Sequence, residues 1–387
     1  MTALTILGLL TVVAWMWLLL AHGRFWQVSH NRVPPELPVA SPCSVAAVVP
    51  ARNEADVIAP VIRALLAQRD FEMLIFLVDD SSTDGTAEAA RAAAAEAGQI
   101  DRLTVIAGQP LAEGWTGKQW AVHQGVERAL RKNPEWLLLA DADVEQGRNT
   151  VATLTAIAQQ GNYDLASFMV KLHCKSLAEK LLIPAFVFFF FKLYPPAWIR
   201  DPQHRTAGAA GGCVLVRSSA LVRAGGIAAI RSALIDDCSL AALIKSHGGK
   251  IWLGLTKQSH SLRPYDHFRD VGRMIARTAF HQLHHSLFLL VGTVVGMSVL
   301  YLAPVLLAMS GGVRLALLGG AAWLFMAVAY SSLVRFYRLH VIWALTLPLA
   351  ALFYEMATIY SAIRYWRGAG GAWKGRHQDL DTARTIS

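Results

Sequence analysis

The chain has 387 residues, of which 54% are apolar and 16% charged, with a formal net charge of +9. That is too apolar for an ordinary soluble protein, which points to membrane segments. The basic excess does not imply nucleic acid, because there is no finger, RNA-binding signature or basic helical stripe. Many basic residues (Arg24, Arg32, Arg335, Arg338, Arg364, Arg367, Lys374, Arg376) instead flank apolar segments, where anionic lipid headgroups would meet them.

In chain order, Leu4 to Ala21 is an uncharged run approaching the length of a span. No basic residue precedes it and no small-residue cleavage site is evident, so residues 1–24 are expected to be a retained anchor rather than a signal peptide. Arg24 and Arg32 place its C-terminal flank in the cytoplasm by the positive-inside rule; a buried core helix is the alternative. Residues 40–285 read as one large domain. Strands are expected at Val45 to Val49, Met73 to Val78, Leu103 to Ala107 and Trp136 to Ala140. Helices alternate with them at Glu54 to Ala67, Asp84 to Ala97 (capped by Ser82 or Thr83) and Lys118 to Arg131. Buried parallel strands alternating with helices predict a doubly wound α/β sheet, which binds ligands beyond the carboxyl ends of its strands.

The residues after those strand ends carry the chemistry. They are PARNE (Pro50 to Glu54), DDSSTDGT (Asp79 to Thr86), a loop with Gly114, Gly117 and Lys118, and DAD (Asp141 to Asp143). Carboxylates crowded on one rim repel unless something positive sits among them. A hard divalent cation (Mg2+ or Mn2+) would serve, since Mg2+ commonly takes one or two carboxylates together with substrate phosphates. A lone DxD is a weak signal, and Asp84 reads as a turn or cap residue. It is the combination of clusters that points to a site.

Farther along, Leu181 to Trp198 is too apolar for a solvent loop. As a span it would put Asp143 and Asp237 on opposite sides of the membrane, so an interfacial helix is expected, with a helix in the domain core as the alternative. His260 follows a strand expected at Ile251 to Leu255 and is a candidate third metal ligand; Arg263 is a candidate partner for phosphate. His281, His284 and His285 have metal-ligand spacing on a helix, but histidines beside a membrane span are the simpler reading. The bundle at 286–363 is read as three spans: Leu287 to Met309, Leu315 to Val334, and Val341 to Ile363, the last interrupted by Pro348 and Glu355. Three spans put the 364–387 tail outside, while its basic character argues for inside. Either the third segment is re-entrant or the charge rule fails here. The four cysteines (Cys43, Cys174, Cys213, Cys238) lack CxxC spacing, which fits a reducing compartment with neither disulfides nor a zinc site.

The motifs VVPARNEADVI, VDDSSTDGT, GWTGKQWA, LLADADV and LIDDCSLAALI resemble the family-2 inverting glycosyltransferases of the GT-A fold. The membrane layout, SLRPY (Ser261 to Tyr265) and ARTAF (Ala276 to Phe280) look closest to the hopene-associated glycosyltransferases, with ceramide and carotenoid glycosyltransferases as looser relatives. The resemblance implies that Pro50, Ala51 and Glu54 line a nucleobase pocket. Asp79 and Asp80 would hold the base and ribose of a nucleotide sugar, and Lys118 would approach its diphosphate. Asp141 would lie near the ribose or sugar and join Asp143 in the metal set. Gly211, Gly212 and Cys213 would form the acceptor-side loop, with Asp237 as catalytic base and Asp236 beside it. The plainer reading of Asp236 and Asp237 is a helix N-terminal pair complementing the dipole. Two departures stand out: Asp236 replaces the family's Glu, and Gln-x-x-Arg-Trp is replaced by Met274 to Thr278, which leaves Arg277 as a phosphate ligand and argues against polymer synthesis.

The function so implied is transfer of one sugar from a nucleotide sugar, UDP being favoured, to a hopanoid-related lipid acceptor. The enzyme would be a multi-pass protein of the cell inner membrane with its catalytic domain in the cytoplasm. The same chemistry on polyprenyl phosphate, ceramide or carotenoid is the near alternative. A non-catalytic scaffold that binds a nucleotide sugar is the alternative of another class.

Overall fold

A computed structural model describes residues 2–29, 31–32, 41–69 and 73–368. The chain divides into two compact units. One comprises Asn31–His173 and Trp198–Arg263; the other comprises Met1–His30, Cys174–Ala197 and Pro264–Ala372. The units therefore do not follow the linear boundaries expected from sequence, since 174–197 and 264–285 group with the apolar helices.

The first unit holds a mixed sheet of eight strands among the described residues. They are β1 (Val45–Ala51), β2 (Leu74–Asp79), β3 (Leu103–Ala107), β4 (Trp136–Leu139), β5 (Val144–Glu145), β6 (Leu165–Lys171), β7 (Val214–Arg217) and β8 (Ile251–Ser261). Their order is β3-β2-β1-β4-β7-β6-β8-β5. The first four are mutually parallel, with Ala51 opposite Asp79 and Val48 opposite Leu139. All seven residues of β1 are buried, as expected of a strand covered on both faces. The helices Ile58–Leu66, Thr86–Glu96 and Gly117–Leu130 return the chain between these strands. The first buries Ile58, Val61, Ile62, Leu65 and Leu66, a single stripe at helical spacing. It begins at Ile58, not Glu54, which leaves Glu54 in the turn beyond β1. The second is preceded by Gly85 in the left-handed region (φ 88°), where the expected Ser or Thr cap would be strained. Gly125 lets the third helix press on the sheet, because a Cβ there would lie 2.4 Å from Val48 Cγ1.

Beyond β4 the sheet changes character. β7 runs antiparallel to β4 and β6, β8 is parallel to β6, and the two-residue β5 pairs antiparallel with the end of β8. That last pairing places Ser261 opposite Val144 and His260 opposite Glu145. It thereby carries the end of β8 back alongside Asp143.

In the second unit, among the described residues, four helices are long and apolar enough to cross a membrane: Ala3–Leu20, Leu287–Ala308, Val313–Phe336 and Val341–Trp366. Between 22% and 50% of their best windows is buried inside the protein, so much apolar surface faces outward. Pro348 lies in the first turn of Leu347–Trp366, where its missing N–H costs nothing; it does not break the segment. The second of these helices contains a π-helical stretch at Ser298–Leu302. There Trp15 Nε1 donates to the Leu300 carbonyl at 2.8 Å, and Ser298 Oγ donates to Glu355 at 2.9 Å.

Leu177–Leu193 packs in this unit, with Phe188 against Tyr330 and Phe189 against Tyr354. Its start is fixed by buried Glu179, which accepts N–H bonds from Lys175, Ser176 and Tyr265 at 2.7, 2.9 and 2.7 Å. The helix Ala279–Gln282 ends before the histidine cluster is complete. His284 and His285 have φ of 49° and 56°, and the His285 ring stacks on Tyr365. The tail from 369 onward lies outside the described residues.

Candidate active site

The ends of β1, β2 and β4 deliver their acids to one rim. Asp80 N–H donates to the Ala51 carbonyl at 2.8 Å, which ties the end of β2 to the end of β1 beside Pro50. Asp80 is buried and Arg52 Nη1 lies 3.6 Å from its Oδ2, while Asp79 Oδ1 accepts from Ser82 N–H at 3.1 Å. Asp84 accepts from Ala55 and Thr86 backbone N–H, the work of a turn residue.

The central group is built on Lys118. Thr116 caps the helix Gly117–Leu130 by accepting from Gln119 N–H, which puts Lys118 in the first turn. Its Nζ lies 2.7 Å from Asp141 Oδ1 and 2.9 Å from Asp236 Oδ2. Asp237 Oδ2 accepts from Gly211 N–H at 2.8 Å and Oδ1 from Cys238 N–H at 2.7 Å. Pro50, Lys118, Asp141, Gly211, Asp236 and Asp237 thus line one cleft. A Cβ on Gly211 would sit 3.4 Å from Asp237 Oδ2 and 3.6 Å from Lys118 Nζ, so glycine keeps that space open.

Asp236 and Asp237 do begin the helix Asp236–Ser246, as the plainer sequence reading has it. They also face a lysine and a loop from distant parts of the chain, which dipole complementation alone does not require.

Electrostatics separate these groups. Burial, then the adjacent Asp236 charge, pushes Asp237 up to about 6, against the opposing pull of Lys118 and the two backbone N–H bonds. Burial also raises Asp141; Lys118 opposes this, and Asp143 and Asp236 add to it. Burial disfavours the charge on Lys118, yet Asp141 and Asp236 outweigh it and raise its pKa. A carboxylate titrating near 6 beside a stable ammonium suits proton acceptance near neutral pH.

Asp143 is held differently. Arg263 Nε donates to its Oδ2 at 2.6 Å, and Arg263 Nη2 donates to both oxygens of Glu54 at 2.8 and 2.7 Å. His260 Nε2 lies 3.3 Å from Glu145. Among the described residues, no three metal-ligating side chains converge into a cage. The donor set still fits a hard cation of the Mg2+ type, which takes only one or two carboxylates when substrate phosphates complete its shell. Arg277 belongs to the other unit, where it follows the helix Phe268–Ala276.

Several supporting residues gave no signal in the sequence. Ser167 Oγ accepts from Ala210 N–H at 2.8 Å and lies 3.1 Å from its carbonyl, fixing the residue before Gly211. Buried Gln146 donates to the Gly212 carbonyl at 2.9 Å. Cys213 is a fully buried wall residue whose thiol is pushed up by burial. The partnership of Arg263 with Glu54 and Asp143 spans 209 and 120 residues of sequence, beyond any local pattern.

Residues 46–223 match the family described as Glycosyl transferase family 2. A solved structure of the mannosyltransferase PcManGT from Pyrobaculum calidifontis, in complex with GDP-Man and Mn2+, is 17% identical with a TM-score of 0.55. The alignment covers 92% of this chain and 99% of that one. At that identity the likeness shows the fold, a mixed α/β domain of GT-A type accompanied by apolar helices. TarS of S. aureus aligns at 15% identity over 76% of this chain and 55% of its own, with a TM-score of 0.40, too low to carry an argument. A comparison with curated protein sequences gives no match.

Proposed function

We propose that this protein is a membrane-bound, inverting glycosyltransferase that moves one sugar from a nucleotide sugar to a lipid hydroxyl, with Asp237 as the base. The observation that carries the reading is the Asp237 carboxylate, raised to about 6 and fixed by Gly211 and Cys238 N–H beside the Lys118–Asp141–Asp236 cluster. In the reaction the acceptor oxygen bonds to the anomeric carbon and its proton passes to Asp237. The bond to the donor diphosphate breaks and its electron pair leaves with the diphosphate. Lys118 meets the developing negative charge.

Asp143 and Asp141 would hold a divalent ion with the donor phosphates, with His260 as a further candidate. The ion would supply charge neutralisation at the leaving group. The Mn2+ named with the mannosyltransferase supports divalent metal use, and its GDP-Man leaves the nucleotide open between GDP and the UDP favoured by motif resemblance. Glu54, Pro50, Ala51, Asp79 and Asp80 are proposed to bind the nucleoside, and the Gly211–Gly212 backbone to face the acceptor, with Cys213 buried behind it. The four apolar helices support a membrane location; Arg24 and Arg32 after the first of them favour the cytoplasmic side of the inner membrane, and the sequence motifs favour a lipid acceptor of the hopanoid-type polyol class.

The test is transfer by purified protein in lipid, supplied with labelled UDP- and GDP-sugars, Mg2+ or Mn2+, and a lipid extract. Asp237→Asn should lower transfer to a hydroxyl acceptor by about 10²–10⁴-fold, the usual share of a general base. Transfer to a polyprenyl phosphate, already ionised, should be spared. Full hydroxyl transfer by the variant removes Asp237 from the role. Donor binding without turnover on every acceptor would leave the protein a scaffold.

A further inference from the structure

Arg263 sits where the acidic rim most needs a cation. Its guanidinium joins Glu54, beyond β1, to Asp143, beyond β4. The backbone holds it there: Leu262 N–H donates to the Asp143 carbonyl at 2.8 Å, and Arg263 N–H donates to Ser261 Oγ at 3.3 Å. Glu54 and Asp143 are 10% and 19% exposed, so water screens this pair of acids poorly, while the arginine is 34% exposed.

We propose that Arg263 is a resident cation of this rim, neutralising Asp143, and that it competes with a divalent ion for that carboxylate. The inference rests on the proposed assignment of Asp143 as a metal ligand. A guanidinium nitrogen 2.6 Å from Asp143 Oδ2 already occupies the approach to that oxygen. A divalent ion bonded to the same carboxylate at about 2.0–2.1 Å would put two positive groups within a few ångströms of each other. The two therefore compete for one carboxylate, and the apparent metal affinity is reduced by the guanidinium's hold on it. Arginine suits the post because its charge is permanent and its fork bonds both acids at once. A diphosphate would favour the exchange twice over, by offering oxygens to the ion and a new partner to the released guanidinium.

The test is Mn2+ binding alone, without nucleotide, followed by the electron paramagnetic resonance signal of free Mn2+ over the full chain in lipid nanodiscs. Arg263→Gln should bind Mn2+ about tenfold more tightly than the parent protein, and combining it with Asp143→Asn should erase the gain. Arg263→Lys keeps a cation for Glu54, so its fold is protected, but it loses the fork and should bind Mn2+ at an intermediate level. Equal affinity in the parent, Gln and Lys proteins overturns the resident-cation role. If Asp143→Asn in the parent background leaves Mn2+ affinity unchanged, the ligand assignment itself fails and the inference falls with it.

Discussion

Lys118→Met is the perturbation most closely defined by the structure. It deletes the ammonium 2.7 Å from Asp141 and 2.9 Å from Asp236, and removes the positive charge that opposes protonation of Asp237. Breaking a fully buried, hydrogen-bonded charge pair by removing one partner costs about 3–5 kcal/mol. Here the side chains of Lys118, Asp141 and Asp236 are 22%, 31% and 26% exposed, so screening lowers the expected cost to about 2–3 kcal/mol at pH 8. The cost depends on pH in a definite direction. Asp141 and Asp237 already titrate above the ordinary aspartate value, and losing Lys118 raises both further. A group whose folded pKa exceeds its unfolded value, about 3.9 for Asp, contributes its full stability below that value. It loses the contribution as pH rises through the folded pKa. The variant should therefore melt close to the parent near pH 4.5 and fall behind it up to pH 8. For a unit of roughly two hundred residues, about 2–3 kcal/mol corresponds to a Tm drop of about 4–12 °C. Thermal melts in one detergent at pH 4.5, 6 and 8 read this directly. An equal drop at every pH, or none at pH 8, would refute the claim that Lys118 is the counter-charge of these carboxylates.

Asp236→Asn removes the second cause of the raised Asp237 pKa, while burial, the first cause, remains. A base must be deprotonated, so kcat/KM of the parent should fall as pH drops through about 6, and the variant's acid limb should move to lower pH; a limb that stays or rises contradicts the assignment. Gly125→Ala would force a methyl to within 2.4 Å of Val48 and 3.0 Å of Val78. Overpacking of this kind costs about 1–3 kcal/mol, and an unchanged melting temperature would show that the helix Gly117–Leu130 can lift from the sheet without penalty.

The parts of the fold readable in the sequence are those set by local period. β1 to β4 are short apolar runs bounded by turn residues, and the stripe on Ile58–Leu66 repeats at helical spacing. Parallel strands of this type deliver their following residues to one rim, so the acids after them could be placed without coordinates. β5 and β7 were not legible. One is two residues long and the other four, and each exists through pairing with a strand distant in sequence. The helix Leu177–Leu193 was recognised as too apolar for solvent, but nothing in its composition says that its aromatics pack on Tyr330 and Tyr354. The histidine run fails as a helical face because the helix stops at Gln282, a choice made by left-handed backbone at His284 and His285.

The same division runs through the site. Sequence shows where acids gather, but not which cations of the chain meet them. On the rim, Lys118 and Arg263 meet the carboxylates of Asp141, Asp236, Glu54 and Asp143, and Arg52 lies 3.6 Å from that of Asp80. An argument from crowded carboxylates alone therefore overstates the positive charge a ligand must bring. The remainder is stored partly as raised proton affinity at Asp141 and Asp237, the groups that burial and neighbouring acids already hold above the ordinary range. A divalent ion arriving with a diphosphate thus competes with one guanidinium and with protons, not with solvent alone. Its binding should therefore weaken as pH falls, and should do so even when Arg263 has been replaced.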